Sequence, residues 1–596
     1  MIKNLRKEVD ILSLVTLTIN NNHVQVEEGT TVLQAAKLLG INIPTLCHLN
    51  LHQGVENKPG SCRVCMVEIE GRKNLAPSCT TPAANGMIVK TNSIKAIKAR
   101  RNVVELLLSD HPQNCLLCEK NTNCELQSLA ADMGIREVKY KGEMSTYPKD
   151  TSNYSITRDL DKCILCRRCE TICNEVQTVS ALSAVNRGFG TIISPAFGLP
   201  LLKTNCTFCG QCVSVCPTGA LTEVNNASKV WNALNDKDKL VIVQTAPAVR
   251  AALGEEFGLE IGKAVTGKMA AALRRMGFDK VFDTDFGADL TIMEEGFELL
   301  DRIQNGGKLP MVTSCSPGWI KYCEHFHPDM LENLSTCKSP HEMLGAVMKT
   351  YFAQKHGLDP KDIFVVSVMP CTAKKFEAKR EELRESGFPD VDAVITTREL
   401  AKMIKQASID FNKLPDEDFD EVFGESTGAS VIFGVTGGVM EAALRTVSEV
   451  VTNKPLEKIE FNEVRGLEGI KEAEITLGDK NIKIAVANST GYANKLLEKV
   501  KSGEKEYHFI EIMGCPGGCI NGGGQPFVSD KTKTEEDVLG KRANALYEED
   551  ESKTIRKSHE NPMIKMIYDE FFEKPNSHKA HEILHTHYVK RPKYTE

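Results

Sequence analysis

Two runs of four cysteines constrain this chain more than any other feature: Cys163-x2-Cys166-x2-Cys169-x3-Cys173 and Cys206-x2-Cys209-x2-Cys212-x3-Cys216-Pro217. Eight thiols at a repeated spacing call for metal rather than for an ordinary apolar core. The spacing is that of paired [4Fe–4S] centres, in which the fourth cysteine of each run serves the other cluster. One centre is therefore assigned Cys163, Cys166, Cys169 and Cys216, and the second Cys206, Cys209, Cys212 and Cys173. The first run carries Asn174 where the second carries Pro217. A structural zinc site needs four ligands and has no use for such a duplication.

The chain is 596 residues long, too long for one hydrophobic core, so several domains are expected. Its 21 cysteines cluster at C-x-x-C spacing instead of forming the even framework of a small secreted protein. Thiols kept reduced for metal, in the cytoplasm, are the expectation. No secretory leader opens the sequence and no apolar run approaches the roughly 20 residues of a membrane span, so no membrane insertion is expected. The mild net charge of −7 argues against general nucleic-acid binding.

Alternation from Val15 to Asn20, a turn at Asn20–Asn22 and renewed alternation at Val24–Val26 predict a hairpin, followed by a short helix over Thr31–Leu39. Cys47, Cys62, Cys65 and Cys79 come next. Strands, a helix and four cysteines resemble a plant-type ferredoxin domain with a [2Fe–2S] cluster, at the spacing of respiratory complex I relatives; the alternative on ligand type is a zinc ribbon. An amphipathic helix over Ile94–Leu108 leads to His111, Cys115, Cys118 and Cys124, a set that resembles a His/Cys3 [4Fe–4S] site. The paired runs resemble a bacterial two-cluster ferredoxin. Past Lys239, strand-like Leu240–Val243, Ile363–Val368 and Val431–Phe433 alternate with helical stretches, which suggests α/β layers with a mainly parallel sheet. The expected domains are 1–95, 96–150, 151–238 and a catalytic 239–596: a multidomain α/β and α+β chain, with ferredoxin-like iron–sulfur domains ahead of a large α/β domain.

Three segments of that last domain carry the chemistry: Thr313-Ser-Cys-Ser-Pro-Gly-Trp319, Met369-Pro-Cys-Thr-Ala-Lys-Lys-Phe-Glu377 and Glu511-Ile-Met-Gly-Cys-Pro-Gly-Gly-Cys-Ile-Asn-Gly-Gly-Gly-Gln-Pro526. Glycines crowded around Cys515 and Cys519 let backbone approach a bulky inorganic group. In order and composition the three resemble the active-site signatures of [FeFe]-hydrogenases of the multi-cluster type, both the catalytic subunits of NAD(P)-linked or electron-bifurcating enzymes and the monomeric clostridial kind. The resemblance implies an H-cluster: a cubane held by Cys371, Cys515 and Cys519, with Cys519 bridging to a two-iron unit that carries CO, cyanide and azadithiolate. It implies Lys374 as donor to a cyanide, with Met369, Pro370, Met513, Ala246 and Pro247 packed around the group. A lysine is otherwise more often a solvated surface charge.

One departure stands out. The family carries two consecutive cysteines before Pro-Gly-Trp, the first a proton relay and the second a cubane ligand; here these are Cys315 and Ser316. The fourth cubane ligand could be Ser316 through oxygen, Cys315 after a shift of the loop, or Cys337. Thiolate softness disfavours serine. Cys323 reads as a buried free thiol. Matching the family's proton path gives Cys315, Glu298, Ser335 and Glu295, with Arg302 near the exit; Glu295 and Glu298, three apart, share a helix face.

The implied activity is reversible H2 oxidation and proton reduction, wired through one [2Fe–2S] and three accessory [4Fe–4S] clusters to ferredoxin or to flavin-bearing NAD(P)-linked subunits. No nucleotide-binding glycine fingerprint occurs: Gly434-Val-Thr-Gly-Gly438 lacks the required context. The alternatives are a non-catalytic electron-transfer subunit or a sensory member. His578, His581, His585 and His587 could bind zinc but lack a complete ligand set, and read as a C-terminal helix and tail.

Overall fold

The computed structural model describes residues 13–478 and 480–595; the first twelve residues of the expected 1–95 domain lie outside them. Alternating burial along Leu14–Ile19 pairs it with Asn22–Glu27, and Asn20 and Asn21 take the left-handed conformations that a tight two-residue hairpin turn requires. The remaining strands of this five-stranded sheet are Ile88–Lys90, Met66–Ile69 and Ala76–Pro77. The helix Val32–Leu38 covers one face, opened by a reciprocal Thr31–Gln34 cap. Cys47, Cys62, Cys65 and Cys79 are buried at the edge of this core, with the Cys65 and Cys79 sulfurs 3.3 Å apart.

The helix Ile94–Ser109 follows, as expected, and a chain without regular structure crosses residues 136–149. The strands Ile156–Arg158 and Leu221–Glu223 then pair antiparallel and enclose the two four-cysteine runs. Both runs use the same backbone device. Leu165 and Arg167 in the first, and Phe208 and Gly210 in the second, all have positive φ at matching positions, so each loop curls its amides toward its own sulfurs.

Two four-stranded sheets form the rest. In the first, Lys280–Asp283, Leu240–Thr245, Ile363–Met369 and Ala393–Thr396 lie parallel in that order. In the second, Met311–Val312, Phe509–Met513 and Lys480–Asn488 are parallel and Ile470–Leu477 pairs antiparallel at the edge. The inner strands Leu240–Thr245, Ile363–Met369 and Phe509–Met513 are buried on both faces, which is why they read as continuous apolar runs. Val431–Phe433 departs from the expected strand: it closes the Gly428–Val431 helix and continues as a 3-10 turn, Ile432–Gly434. A fully buried apolar triplet has no periodicity to separate strand from helix.

The iron–sulfur and catalytic parts are locked together. Arg398 makes a bidentate, buried ion pair with Glu223 of the paired-cysteine region. Although burial works against it, Arg398 holds the Glu223 carboxyl down to about 2. Among the described residues no helix is long and apolar enough to cross a membrane.

Candidate active site

Four loops leave the C-terminal ends of the parallel strands and converge. Ala246 and Pro247 follow Leu240–Thr245, Cys371 follows Ile363–Met369, Cys315 and Ser316 follow Met311–Val312, and Cys515 follows Phe509–Met513. Such ends are where open α/β sheets bind ligands. Together they line one cavity with an empty volume of about 740 Å³, into which Met369, Pro370, Lys374, Met513 and Cys519 also open. Cys337 does not line it: its thiol lies in the apolar core, 3.8 Å from Glu298 Oε2. Cys323 lies in another apolar cluster.

Burial raises every thiol of the cavity. Cys519 is pushed up to about 12 by burial, then by Cys371; Cys515 is raised by burial, then by Cys371, Cys209 and Cys519. Cys315 answers to burial and then to a different neighbour, Glu295. The Ser316 hydroxyl accepts the Gly514 N–H at 3.1 Å, which ties the residue beside Cys315 to the loop that carries Cys515. Lys374 donates to the Cys315 carbonyl at 3.1 Å and pairs with Glu377 at 2.8 Å. Burial opposes the Lys374 charge, but Glu377 more than offsets it and the lysine pKa is raised.

The helix Thr284–Asn305 carries a line outward from this cavity. Thr284 and Ala288 touch the cavity, Glu295 and Glu298 follow at helical spacing, and Arg302 stands near the helix end. Ser335 donates to Glu298 Oε2 at 3.0 Å, and Arg302 donates to Glu298 Oε1 at 2.6 Å. Neither oxygen of Glu295 has a hydrogen-bond partner among the described residues. Burial, then the Glu298 charge, push its pKa up to about 8.

Behind the cavity lies the second cysteine run. A Cβ on Gly523 would come within 2.5 Å of the Cys209 carbonyl, so only glycine lets these two loops touch. Thr372 and Gln211 clamp the same seam, donating to the Phe208 and Asn521 carbonyls at 2.8 Å each. Cys163, Cys166, Cys169 and Cys216 line a separate cavity of about 440 Å³. After burial, Cys173 is raised by Cys206 and Cys209, which groups it with the second run. His111 is buried and its Nδ1 has no partner among the described residues.

Residues 239–523 match the C-terminal domain of the iron-only hydrogenase large subunit, and residues 536–591 match the iron hydrogenase small subunit. Over 588 residues the chain is 57% identical to the NADP-reducing hydrogenase subunit HndD of Solidesulfovibrio fructosivorans, covering 97% of this chain and all of that one. The chain belongs to the iron-only hydrogenase family. It is also 45% identical to iron hydrogenase 1 of Clostridium pasteurianum, over 96% of this chain and the whole of that one. An apo [FeFe]-hydrogenase HydA1 variant from Chlamydomonas reinhardtii superimposes with a TM-score of 0.56 at 44% identity, covering 62% of this chain and 100% of that structure. Ahead of the hydrogenase domain, residues 13–93 match a 2Fe-2S cluster-binding domain, 100–139 an NADH-ubiquinone oxidoreductase-G iron–sulfur region and 162–220 a 4Fe-4S dicluster domain. This hydrogenase therefore carries iron–sulfur domains in series with its catalytic domain.

The cavity also includes His341 and Phe433, which sequence reasoning did not single out. His341 hydrogen-bonds Glu377 at 2.7 Å, and burial, then Lys374, depress its pKa to about 4, leaving it neutral. The signal for it was its place immediately after Pro340, at the end of the segment that carries Ser335 and Cys337.

Proposed function

We propose that this chain is the hydrogen-activating subunit that interconverts H2 with protons and electrons, using an H-cluster fed by one [2Fe–2S] and three [4Fe–4S] accessory clusters. The observation that carries this reading is the convergence of Cys371, Cys515 and Cys519 with Lys374 in one cavity, backed directly by the Cys209 loop.

The residues present fit such groups. The cavity is lined by unpaired thiols, and its glycine-rich wall admits no side chains: a Cβ on Gly522 would sit 2.2 Å from the Pro370 carbonyl. The free, buried Nδ1 of His111 suits a fourth ligand beside Cys115, Cys118 and Cys124. Cys47, Cys62, Cys65 and Cys79 suit the [2Fe–2S] centre, and the two four-cysteine runs suit crossed cubanes. When bound, the organometallic group supplies the H–H bond cleavage.

What the chain's own residues do follows from their places. Lys374, kept charged by Glu377, presents an ammonium donor to the cavity; Met369, Met513 and Pro370 exclude water from it. Cys315 stands between cavity and Glu295, and the proton passes Glu295, Ser335 and Glu298 toward Arg302, with the two glutamates in the reverse of the order expected from the sequence, because Glu295 is the neighbour of Cys315 and Glu298 is the partner of Arg302. Burial keeps Glu295 protonated at neutral pH, so it holds a proton ready to move in either direction. Ser316 would serve as the fourth residue holding the cubane, through its oxygen, since Cys337 lies outside the cavity and Cys315 faces Glu295. The accessory clusters, held by the cysteines and His111 of residues 47–216, would pass electrons one at a time to a ferredoxin or to a flavin-containing NAD(P)-linked subunit, in the cytoplasm. A relative bearing the words NADP-reducing hydrogenase subunit supports the second partner.

Hydrogen evolution from reduced methyl viologen, by protein matured with the two-iron group and holding roughly 20 irons, tests the reading. Rapid evolution is expected. In the same assay Ser316→Ala loses iron, whereas Cys315→Ala keeps its iron and loses turnover. Full iron with no evolution would leave an electron-transfer or sensory protein.

A further inference from the structure

Glu298, Cys337 and His585 each direct a donor atom into one buried spot, and these atoms all lie within 4.8 Å of one another. Backbone fixes the arrangement. Cys337 and His585 face each other across an antiparallel bridge, flanked by Lys338 N–H to the Leu584 carbonyl at 2.8 Å and Thr586 N–H to the Thr336 carbonyl at 2.7 Å.

We propose that this trio is a zinc site, and that a zinc ion bound there closes the proton exit. The donor set is one thiolate, one imidazole and one carboxylate, a combination that suits zinc. Tetrahedral donors at zinc bond lengths stand about 3.3–3.6 Å apart. Cys337 Sγ already lies 3.8 Å from Glu298 Oε2, so the trio needs to contract by less than about 1.5 Å even at its widest. Glu298 divides its oxygens suitably: Oε1 stays with Arg302 at 2.6 Å while Oε2 faces the thiol.

The support for the imidazole is the stronger argument. A histidine ligand usually donates its other ring N–H to a carboxylate. His585 Nε2 lies 3.0 Å from Glu294 Oε2, and Glu294 is itself held by the Tyr568 hydroxyl and by the Asn576 N–H at 2.9 Å. That leaves Nδ1, now 2.7 Å from the Thr336 hydroxyl, for the metal. Two anionic donors face the divalent ion, with the Glu298 carboxylate shared between the ion and Arg302. On binding, the Zn–S bond forms, the Cys337 S–H bond breaks and the proton goes to solvent, with no change of oxidation state. Exposed His581, its ring tilted against that of His585 at 4.0 Å between centroids, gives the ion an approach from the surface.

A zinc at this point takes Glu298 out of the relay that Ser335 feeds, so its inhibitory effect rests on the proton path proposed above, while its binding does not. The test uses the cluster-loaded enzyme, zinc sulfate and reduced methyl viologen, with zinc content read by equilibrium dialysis and by X-ray absorption at the zinc edge. One zinc per chain with a single sulfur donor is expected, with turnover falling at least tenfold and returning on chelation. Cys337→Ala and His585→Asn keep their basal turnover and need at least tenfold more zinc for the same loss, with cluster absorption unchanged throughout. Zinc bound through several sulfurs, or equal sensitivity in wild type and Cys337→Ala, would overturn the site. Single-sulfur binding without loss of turnover would keep the site and overturn its role at the exit. An enzyme inactive before zinc is added would count against the proposed function, while the dialysis and edge data would still decide the site.

Discussion

Glu295 is the residue on which the proposed proton path turns. Its carboxyl is buried, without a hydrogen-bond partner among the described residues, and shifted up from 4.5 to about 8. The sign follows from that direction: below pH of about 8 the carboxyl is neutral and can donate, and above it the group is a buried anion next to Glu298; its contribution to folding stability is full below 4.5 and is lost as the pH rises from there to about 8, where the unfolded chain has given up the proton and the folded one still holds it. An infrared carboxylic C=O band that disappears near pH 8 in wild type and is missing from Glu295→Gln is the expected result. The same variant loses about 10²–10⁴-fold in turnover, the scale of a proton-transfer group. A band titrating near the ordinary glutamate value, or full turnover in Glu295→Gln, would remove Glu295 from the path. The sequence alone placed Glu295 and Glu298 on one helix face, where two glutamates ordinarily mean a solvated surface. Only the fold shows them buried, because the covering groups, Ser335 and the C-terminal His585, are distant in sequence.

At the scale of elements, what was legible is what has a period or a spacing. The first hairpin, the helix after it and the paired cysteine loops follow from alternation, capping and ligand spacing. The triplet Val431–Phe433 carried no such signal, and the second sheet was hidden because its short strand Met311–Val312 gains its meaning from Phe509–Met513, far along the chain. The seam between the Cys209 loop and Gly523 is the element-scale feature with a direct consequence. In Gly523→Ala the new Cβ would meet the Cys209 carbonyl at 2.5 Å and Gly210 Cα at 2.7 Å, both backbone atoms that cannot swing aside. Overpacking of this kind costs about 1–3 kcal/mol. A lower unfolding midpoint in guanidinium and slower oxidation of reduced viologen in stopped flow are both expected, because the wedge pushes the nearest accessory cluster loop away from the cavity. If both measurements match wild type, the two loops do not meet in solution.

At the scale of the whole molecule, metal and core share the stability unequally. Residues 239 onward have two buried sheets and a large apolar core, centred on strands such as Leu240–Thr245 and Ile363–Met369, to which the preceding helix Ala227–Leu234 adds Ala227, Val230 and Ala233. The regions before them have small cores that include the cysteines themselves: Cys65 and Cys79 in one, Cys169 and Cys216 in another, Cys47, Cys62 and Cys166 in a third. Small domains that cannot bury enough apolar surface depend on metal, and the free energy of binding it is then folding free energy. Burial also raises Cys163 and Cys209 to about 11, so without metal these positions hold buried neutral thiols. Anaerobic removal of iron by a chelator is therefore expected to loosen residues 13–238 before the catalytic part. Limited proteolysis reads the order. Early cleavage falls in the irregular stretch 136–149 and within the cysteine loops, while a fragment starting near residue 239 persists with its circular dichroism intact. The buried Arg398–Glu223 pair would mark the point of separation, since breaking it leaves an uncompensated charge that costs about 3–5 kcal/mol. Uniform digestion of the iron-free chain would show instead that the catalytic sheets need the clusters as much as the small domains do.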